Sequence, residues 1–411
     1  MNQWQQLGDK YMEFITVERA EQIIQSHARH FGVEEVFYEK ALGRILAENL
    51  FADRDLPPFN RPTVDGIAIN FDAYKKGVRS FKVCAIQSAG EIPIPIANYD
   101  ECVEIMTGAA LDPSVDTVVR YEDLEIVNGI ATIKDIEIKE GQHIHFKGQD
   151  KKGGDILASA NSIITPALIG LAASVGKIKL LVKKMPNVVV ISTGDEMIPA
   201  EATPTPYQLR RSNGVTIKAV LENYKINSNL LHLNDDIELI NTQLSNCLKS
   251  YDVLLICGGV SKGKFDFVPQ VLENLGVKKL FHTVKQRPGK PFWFGTHNNQ
   301  QLIFAFPGNP VSAFMCLHKY FIPWLQTSLG ITLLNEYAIL QSNISFHYPL
   351  QYFAQVKLSM SLAGELLAEY VEGNGSGDFS NLVHTDAFIE LPLEKTVFKK
   401  GEAYKIWKYS F

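Results

Sequence analysis

Four short segments carry residues able to do chemistry on an anionic ligand. Ser192-Thr193-Gly194-Asp195-Glu196 follows the β-branched run Val188-Val189-Val190-Ile191 and offers two carboxylates, two hydroxyls and a glycine that permits close approach. Gly258-Gly259-Val260-Ser261-Lys262-Gly263 places three glycines in six positions between an extended run and a helical one. Such a loop frees backbone amides to wrap a phosphate or pterin. Asp266, just beyond it, is the expected cap of the next helix. The loop is neither a Walker A motif nor GxGxxG. Arg287-Pro288-Gly289-Lys290-Pro291, with Lys285 just before it, gathers three cations on a backbone stiffened by two prolines. Fixed geometry with concentrated positive charge suits a small oxyanion. Phe306-Pro307-Gly308-Asn309-Pro310-Val311-Ser312-Ala313 reads as a helix start, with Asn309 as N-cap and Pro310 as first residue. Each segment also has a plain structural reading: an exit with solvated acids, a flexible connection, a charged turn, a capped helix.

The elements around these segments explain their placement. Thr16 caps an amphipathic stretch through Ile23-Ile24, and Ala41 to Ala47 gives a second helical pattern. From Asp53 the texture is proline-broken and strand-like (Phe81 to Ile86, Val103 to Met106, Thr117 to Arg120, Ile130 to Ile138). Residues 161–176 predict a helix with Thr165 as cap and Pro166 first. From Met185 onward apolar runs alternate with helix-length segments. Strands are expected at 188–191, 229–233, 252–257 and 302–306, and helices at 212–223, 237–248, 267–275 and 310–325. That alternation predicts a doubly wound α/β domain, whose ligands bind beyond the carboxyl ends of its strands, where the four segments lie. After Gly330 short strands return, ending at Tyr404 to Lys408, as in a small β barrel. The expected domains are a helical/linker part (1–52 with 141–183), a β domain (53–140), the α/β domain (184–328) and a C-terminal β barrel (329–411).

Composition narrows the function classes. The chain has 411 residues, 46% hydrophobic and 21% charged, with a net charge of −5. These values exclude a disordered or collagen-like chain and leave no global basic field for nucleic acid or an anionic membrane. An anionic substrate therefore needs a local basic site. Met1 to Asp9 is polar, and the apolar stretch 302–325 is interrupted by Pro307, Asn309, Pro310, His318 and Lys319. Neither a leader nor a membrane span is expected. The five cysteines and ten histidines show no zinc spacing, which points to reduced, buried thiols in a cytoplasmic protein. Trp293 and Phe294 read as core, and Asp235-Asp236 as the acidic pair at a helix start.

Taken together and in order, these segments resemble the MoeA family of molybdopterin molybdenumtransferases, which includes the E domain of gephyrin. The resemblance covers essentially the whole chain. It also takes in Ala41 to Ala47, Leu56-Pro57-Pro58-Phe59 through Asp65-Gly66, and Met106-Thr107-Gly108-Ala109. It implies an elongated four-part subunit, a homodimer with a cleft shared between subunits, and Mg²⁺. The reaction it implies joins molybdate to adenylylated molybdopterin, giving molybdenum cofactor and AMP. By resemblance, Glu196, Asp235 and Asp266 hold the metal, and Asp65 and Thr107 act beside Glu196 and Asp266 from the partner subunit. Asp150 is a further family acid. Gly258, Gly259, Ser261, Gly308, Asn309 and Ser312 hold pterin and phosphates; Arg287, Pro288, Lys290 and Ser376 take the molybdate. A pterin adenylyltransferase and molybdoenzyme chaperones are the implied protein partners. Gln149, Thr283, Arg287 and Gln355 depart from the family's usual Glu, Lys, Lys and Arg, and Asn60-Arg61-Pro62-Thr63 replaces an Asp-Asn-Ser-Ala-like run. Three rivals stay open on the sequence: a pterin adenylyltransferase, a non-catalytic dimeric scaffold, and a tungstate-handling relative.

Overall fold

A computed structural model describes residues 14–260, 267–298 and 300–410. The chain divides into two compact units: Glu35–Leu42 with Leu46–Leu181, and Met1–Glu34, Gly43–Ile45 and Val182–Phe411.

The first unit is built on a six-stranded mixed sheet. Its order is Thr117–Arg120, Gly66–Ile69, Glu101–Ile105, Ser80–Gln87, Ile130–Ile133, Leu124–Val127. Ile67, Ile69, Phe81, Cys102 and Val119 form one apolar face. Strand Gly66–Ile69 lies between two neighbours, and a Cβ at Gly66 would stand 1.9 Å from the Val119 carbonyl oxygen. Only glycine fits there. The register pairs Gly66 with Ile105, so Asp65 leaves its strand beside the loop that begins at Met106. The strand expected over Ile130 to Ile138 stops at Ile133. The helix expected at Ala41 to Ala47 does not form either. That segment is a turn followed by bridges, and Gly43 adopts φ +77, which no right-handed helix contains.

The second unit holds the doubly wound domain. Its sheet order is Ser228–Leu233, Val188–Thr193, Val253–Cys257, Gln301–Phe306, Trp293–His297, Lys278–Phe281. The first four strands run parallel, Trp293–His297 runs against them, and Lys278–Phe281, antiparallel to it, returns to the common direction. The central strands are apolar on both faces because helices cover both. Val188, Val190, Leu255 and Phe304 face one layer, and Val189, Ile191, Leu254 and Ile303 the other. Trp293 and Phe294 are fully buried, as expected of core residues. Three helix starts carry side-chain caps. Thr16 accepts from the Arg19 amide, and Asp236 from the Leu239 amide; in the first unit Thr165 accepts from the Leu168 amide.

One expected helix is interrupted. The stretch predicted over 310–325 is an α-helix, Pro310–Cys316, a π turn, Leu317–Phe321, and a second α-helix, Ile322–Ser328. Pro323 has no N–H to extend an i→i−4 ladder, and the wider turn sits directly before it. Beyond it, five strands close into a barrel: Gln351–Met360, Leu366–Tyr370, Glu336–Leu340, Ala403–Lys408, Ala387–Leu391 and back to Gln351–Met360. The short strand Gln286–Arg287 pairs in parallel with Gln351 and Tyr352, so the segment rich in cations is fastened to the barrel wall.

Candidate functional site

The carboxyl ends of the parallel strands open into a cavity of about 1130 Å³, whose opposite wall comes from the barrel and the 373–377 segment. Each strand end delivers what its sequence allows. At Gly194, φ is +121 and an added Cβ would lie 2.5 Å from a Glu196 carboxylate oxygen. The glycine lets Glu196 fold back over the turn and face the cavity. Gly258 and Gly259 both have positive φ, and a Cβ on either would press on the Thr193 hydroxyl at 3.0 and 2.9 Å. Bare backbone therefore lines this edge. Asp235 lines the cavity as well. Its amide donates to Asp195 at 3.1 Å, while Asp236 does the capping. The two members of the acidic pair thus divide between site and helix.

Two cations stand on aromatic faces. The Arg287 guanidinium lies 5.0 Å from the Tyr348 ring centre and 5.9 Å from that of Phe346, and the Lys290 ammonium 5.5 Å from that of Phe14. Aromatic faces attract cations without neutralising them. Burial pushes the Tyr352 phenol up, and Arg287 beside it acts in the opposite sense.

Asn309 occupies the N-cap position but makes no side-chain cap bond. Its amide instead donates to the Ser376 hydroxyl at 2.8 Å, and the Val311 amide donates to the Ser376 carbonyl at 3.1 Å. Asn213 donates to the Gly308 carbonyl at 2.7 Å. The helix start is therefore tied to the 373–377 segment, and Gly308, Asn309, Ser312 and Ser376 all line the cavity.

Eleven expected residues share this lining: Glu196, Asp235, Gly258, Gly259, Arg287, Pro288, Lys290, Gly308, Asn309, Ser312 and Ser376. Ser261 and Asp266 lie outside the described residues. Asp65 and Thr107 belong to the other unit and pair with each other. The Thr107 amide and hydroxyl both donate to one Asp65 oxygen at 2.6 Å and hold that exposed carboxyl below its usual range. Asp150, also in that unit, meets His145 at 2.9 Å, and the other nitrogen of that ring faces Arg61 at 3.3 Å.

Sequence reasoning missed several lining residues: Arg210, Arg211, Tyr348, Tyr352 and Asn374. The Arg210-Arg211 doublet before a helix start was a usable signal. The Arg211 guanidinium donates to the Met197 carbonyl at 3.2 Å, which fixes its stem beside the Glu196 turn. Gln355, flagged as a departure, also lines the cavity, with its carbonyl accepting from Asn381 at 3.1 Å. Ser192 contacts the His232 ring at 2.9 Å, and burial, followed by the Arg211 charge, holds that imidazole below its usual pKa.

Among the described residues no group of three or more His, Cys, Asp or Glu is arranged to hold a metal ion. The lining does present two hard carboxylates, Glu196 and Asp235. That set fits Mg²⁺, which commonly takes one or two protein carboxylates and completes its shell with phosphate oxygens and water.

Residues 15–176 match the MoeA N-terminal region (domain I and II), 189–327 the probable molybdopterin binding domain, and 337–409 the MoeA C-terminal region (domain IV). A molybdopterin molybdenumtransferase of Synechocystis is 37% identical over 96% of this chain and 100% of its own length. One from Staphylococcus epidermidis is 28% identical over 88% of each chain. The crystal structure of the molybdopterin biosynthesis MoeA protein from Pyrococcus horikosii superposes with a TM-score of 0.82 at 28% identity, covering 97% of this chain and all of that one. With the same regions in the same order, and a relative of this identity matched along its whole length, the chain belongs to the MoeA family.

Proposed function

We propose that this protein inserts molybdate into adenylylated molybdopterin, releasing AMP and forming molybdenum cofactor. The observation that carries the reading is one cavity of about 1130 Å³ lined both by the carboxylates Glu196 and Asp235 and by the cations Arg287 and Lys290. A pocket for a drug-sized ligand occupies some 300–1,000 Å³, so this one has room for a nucleotide-bearing pterin and a small oxyanion beside it. Two ligands of unlike character explain why acids and cations share the wall.

The residues divide the work by chemistry. Gly258 and Gly259 bring bare backbone against the pterin and phosphates, where a side chain would block approach. Gly308, Asn309 and Ser312 complete that wall, and Ser261 is assigned to the same ligand by its place in the sequence. Arg287 and Lys290 attract the tetrahedral oxyanion, Ser376 donates to it, and Pro288 fixes the backbone between the cations. The bonds that break are the phosphoanhydride to AMP and two Mo–O bonds of molybdate, and the bonds that form join the two dithiolene sulfurs to molybdenum. Of the two oxygens displaced, one in net ends on the cleaved phosphoanhydride and the other leaves as water with the two thiol protons. Glu196 and Asp235, with Asp266, would hold Mg²⁺, which when bound neutralises phosphoanhydride charge and makes AMP a better leaving group. Asp65 and Thr107 serve the same reaction from a partner subunit of a homodimer, their mutual hydrogen bonds keeping Asp65 ionised. We also propose the four-part division at 53–140, 184–328 and 329–411, with 1–52 and 141–183 as the helical part, and a cytoplasmic setting for the reduced thiols.

The test is direct. Incubation with adenylylated molybdopterin, molybdate and Mg²⁺ should release AMP and metallated pterin together. Glu196→Ala should lose AMP release while keeping its fold by circular dichroism; full turnover in that variant removes Glu196 from the mechanism. Sedimentation that finds a stable, active monomer would exclude the shared cleft.

A further inference from the structure

The cation-bearing loop is wound around one buried side chain that belongs to none of the expected sites. Gln286 is fully buried, between Lys285 and Arg287. Its side-chain nitrogen donates to the Gly289 carbonyl at 2.9 Å, and its side-chain oxygen accepts from the Tyr320 hydroxyl. Tyr320 is 1% exposed and sits in the π turn, Leu317–Phe321. Burial drives its phenol well above the usual range, so the hydroxyl remains a donor.

Gly289 has no slack in this arrangement. Its φ is +86, and an added Cβ would stand 2.7 Å from Cys316 Sγ, 2.9 Å from Gln286 Nε2 and 2.9 Å from Met315 Cε. The flanking backbone is fixed too. The Val284 and Phe292 amides both donate to the Lys290 carbonyl at 3.1 and 2.9 Å, and Gln286 and Arg287 pair with Gln351 and Tyr352. A loop of six residues therefore has its centre pinned from inside, and the two pocket cations, Arg287 and Lys290, leave it on either side of the pin.

Building on the oxyanion reading above, we infer that Gln286 and Tyr320 are positioning residues for the oxyanion subsite: the Tyr320–Gln286–Gly289 chain sets the spacing of Arg287 and Lys290 before any ligand arrives. An anion clamp gains affinity when the ordering of its cations is completed in advance, because binding then orders less chain. Gln286 borders the cavity, but both its polar side-chain atoms are engaged inward, by the Gly289 carbonyl and the Tyr320 hydroxyl. Tyr320 is not part of the lining and acts through Gln286, and Gln286 acts through the Gly289 carbonyl.

The experiment is a pair of binding titrations on the full chain: molybdate in the presence of saturating AMP, and, separately, AMP alone. The variants are Tyr320→Phe, which removes only the hydroxyl, Gln286→Met, which keeps the volume and removes both hydrogen bonds, and the double variant. The expected result is a loss of molybdate affinity of roughly tenfold in each single variant, about 1.4 kcal/mol. AMP affinity should stay within about twofold, and the double variant should be no worse than Gln286→Met, since the two side chains work in series. Lower melting temperatures with unchanged molybdate affinity would make the pair a core contact only and overturn the inference. Equal losses for AMP and molybdate would overturn it as well, because the effect would then not be local to the cations. Absence of molybdate binding by the unsubstituted chain would instead remove the oxyanion subsite itself, and this inference with it.

Discussion

At the scale of single residues, chemistry follows from which donors each charge is given. Asp65 shows it most simply. Two bonds from Thr107 favour the ionised carboxylate. Thr107→Val keeps the amide bond and removes the hydroxyl, so the Asp65 titration followed by NMR should move up toward the ordinary carboxylate range. An unmoved titration would assign the depression to the backbone alone. The linkage has a definite sign. A depressed carboxyl contributes stability above its unfolded pKa, and that contribution is lost as pH falls through the folded value. In the cavity, Lys290→Ala should raise the molybdate concentration needed for half-maximal turnover about tenfold, as loss of a charge-assisted bond would. A molybdate dependence equal to that of the unsubstituted chain would take Lys290 out of the subsite.

At the scale of elements, the π turn, Leu317–Phe321, concentrates unusual polar groups in an apolar layer. His318 is buried against Phe314 and Tyr409, and its Nε2 has no hydrogen-bond partner among the described residues. Burial holds its pKa at about 3, against 6.5 ordinarily. As pH falls from about 6.5 toward 3, the unfolded chain takes up a proton that the folded chain refuses, so stability declines across that window. His318→Leu should flatten the decline, measured as urea midpoint against pH; an unchanged slope would mean that the imidazole already finds a partner. The sheet of the other unit makes a steric prediction. Gly66→Ala places a methyl group against the Val119 carbonyl and should cost several kcal/mol by denaturant unfolding, in the range of overpacking with backbone displacement.

At the scale of the whole molecule, one buried cation ties distant parts of the larger unit together. The Lys319 ammonium is 1% exposed and lies 3.0 Å from Glu21 and 3.2 Å from Glu390, with the Trp407 ring centre at 4.1 Å. Trp407 donates to Glu390 at 2.7 Å, and Gln351 donates to it as well. Gln351 in turn is the strand partner of Gln286. The network thus joins the helix Val17–Gln25, the π turn and the barrel to the cation-bearing loop. Lys319→Met should cost about 3–5 kcal/mol, since it leaves Glu390 and Glu21 without their counter-charge. Replacing Glu390 by Gln in the same chain should recover part of that loss. A thermal scan in which both variants melt with the parent would show the network to be idle.

The alternation of β-branched runs with helical segments settled the α/β domain, because burial on two faces leaves an unmistakable apolar pattern. Glycine and proline placement likewise revealed the strand-end loops, since few sequences tolerate such backbones by accident. Local pattern misled at Ala41 to Ala47, where Gly43 overrides the helical spacing, and at Asn309, whose cap position does not reveal that its amide reaches across to Ser376. Tyr348 and Tyr352 join the cavity only because the barrel that follows in the chain closes against the α/β domain. Gln286 and Tyr320 read as ordinary residues until they meet across the same core. Sequence alone determined where backbone freedom and positive charge are concentrated, because both are local properties. Tertiary structure alone decided which side chains face one another, because contact between residues far apart in the chain depends on how the sheet and barrel pack, and no local spacing encodes that.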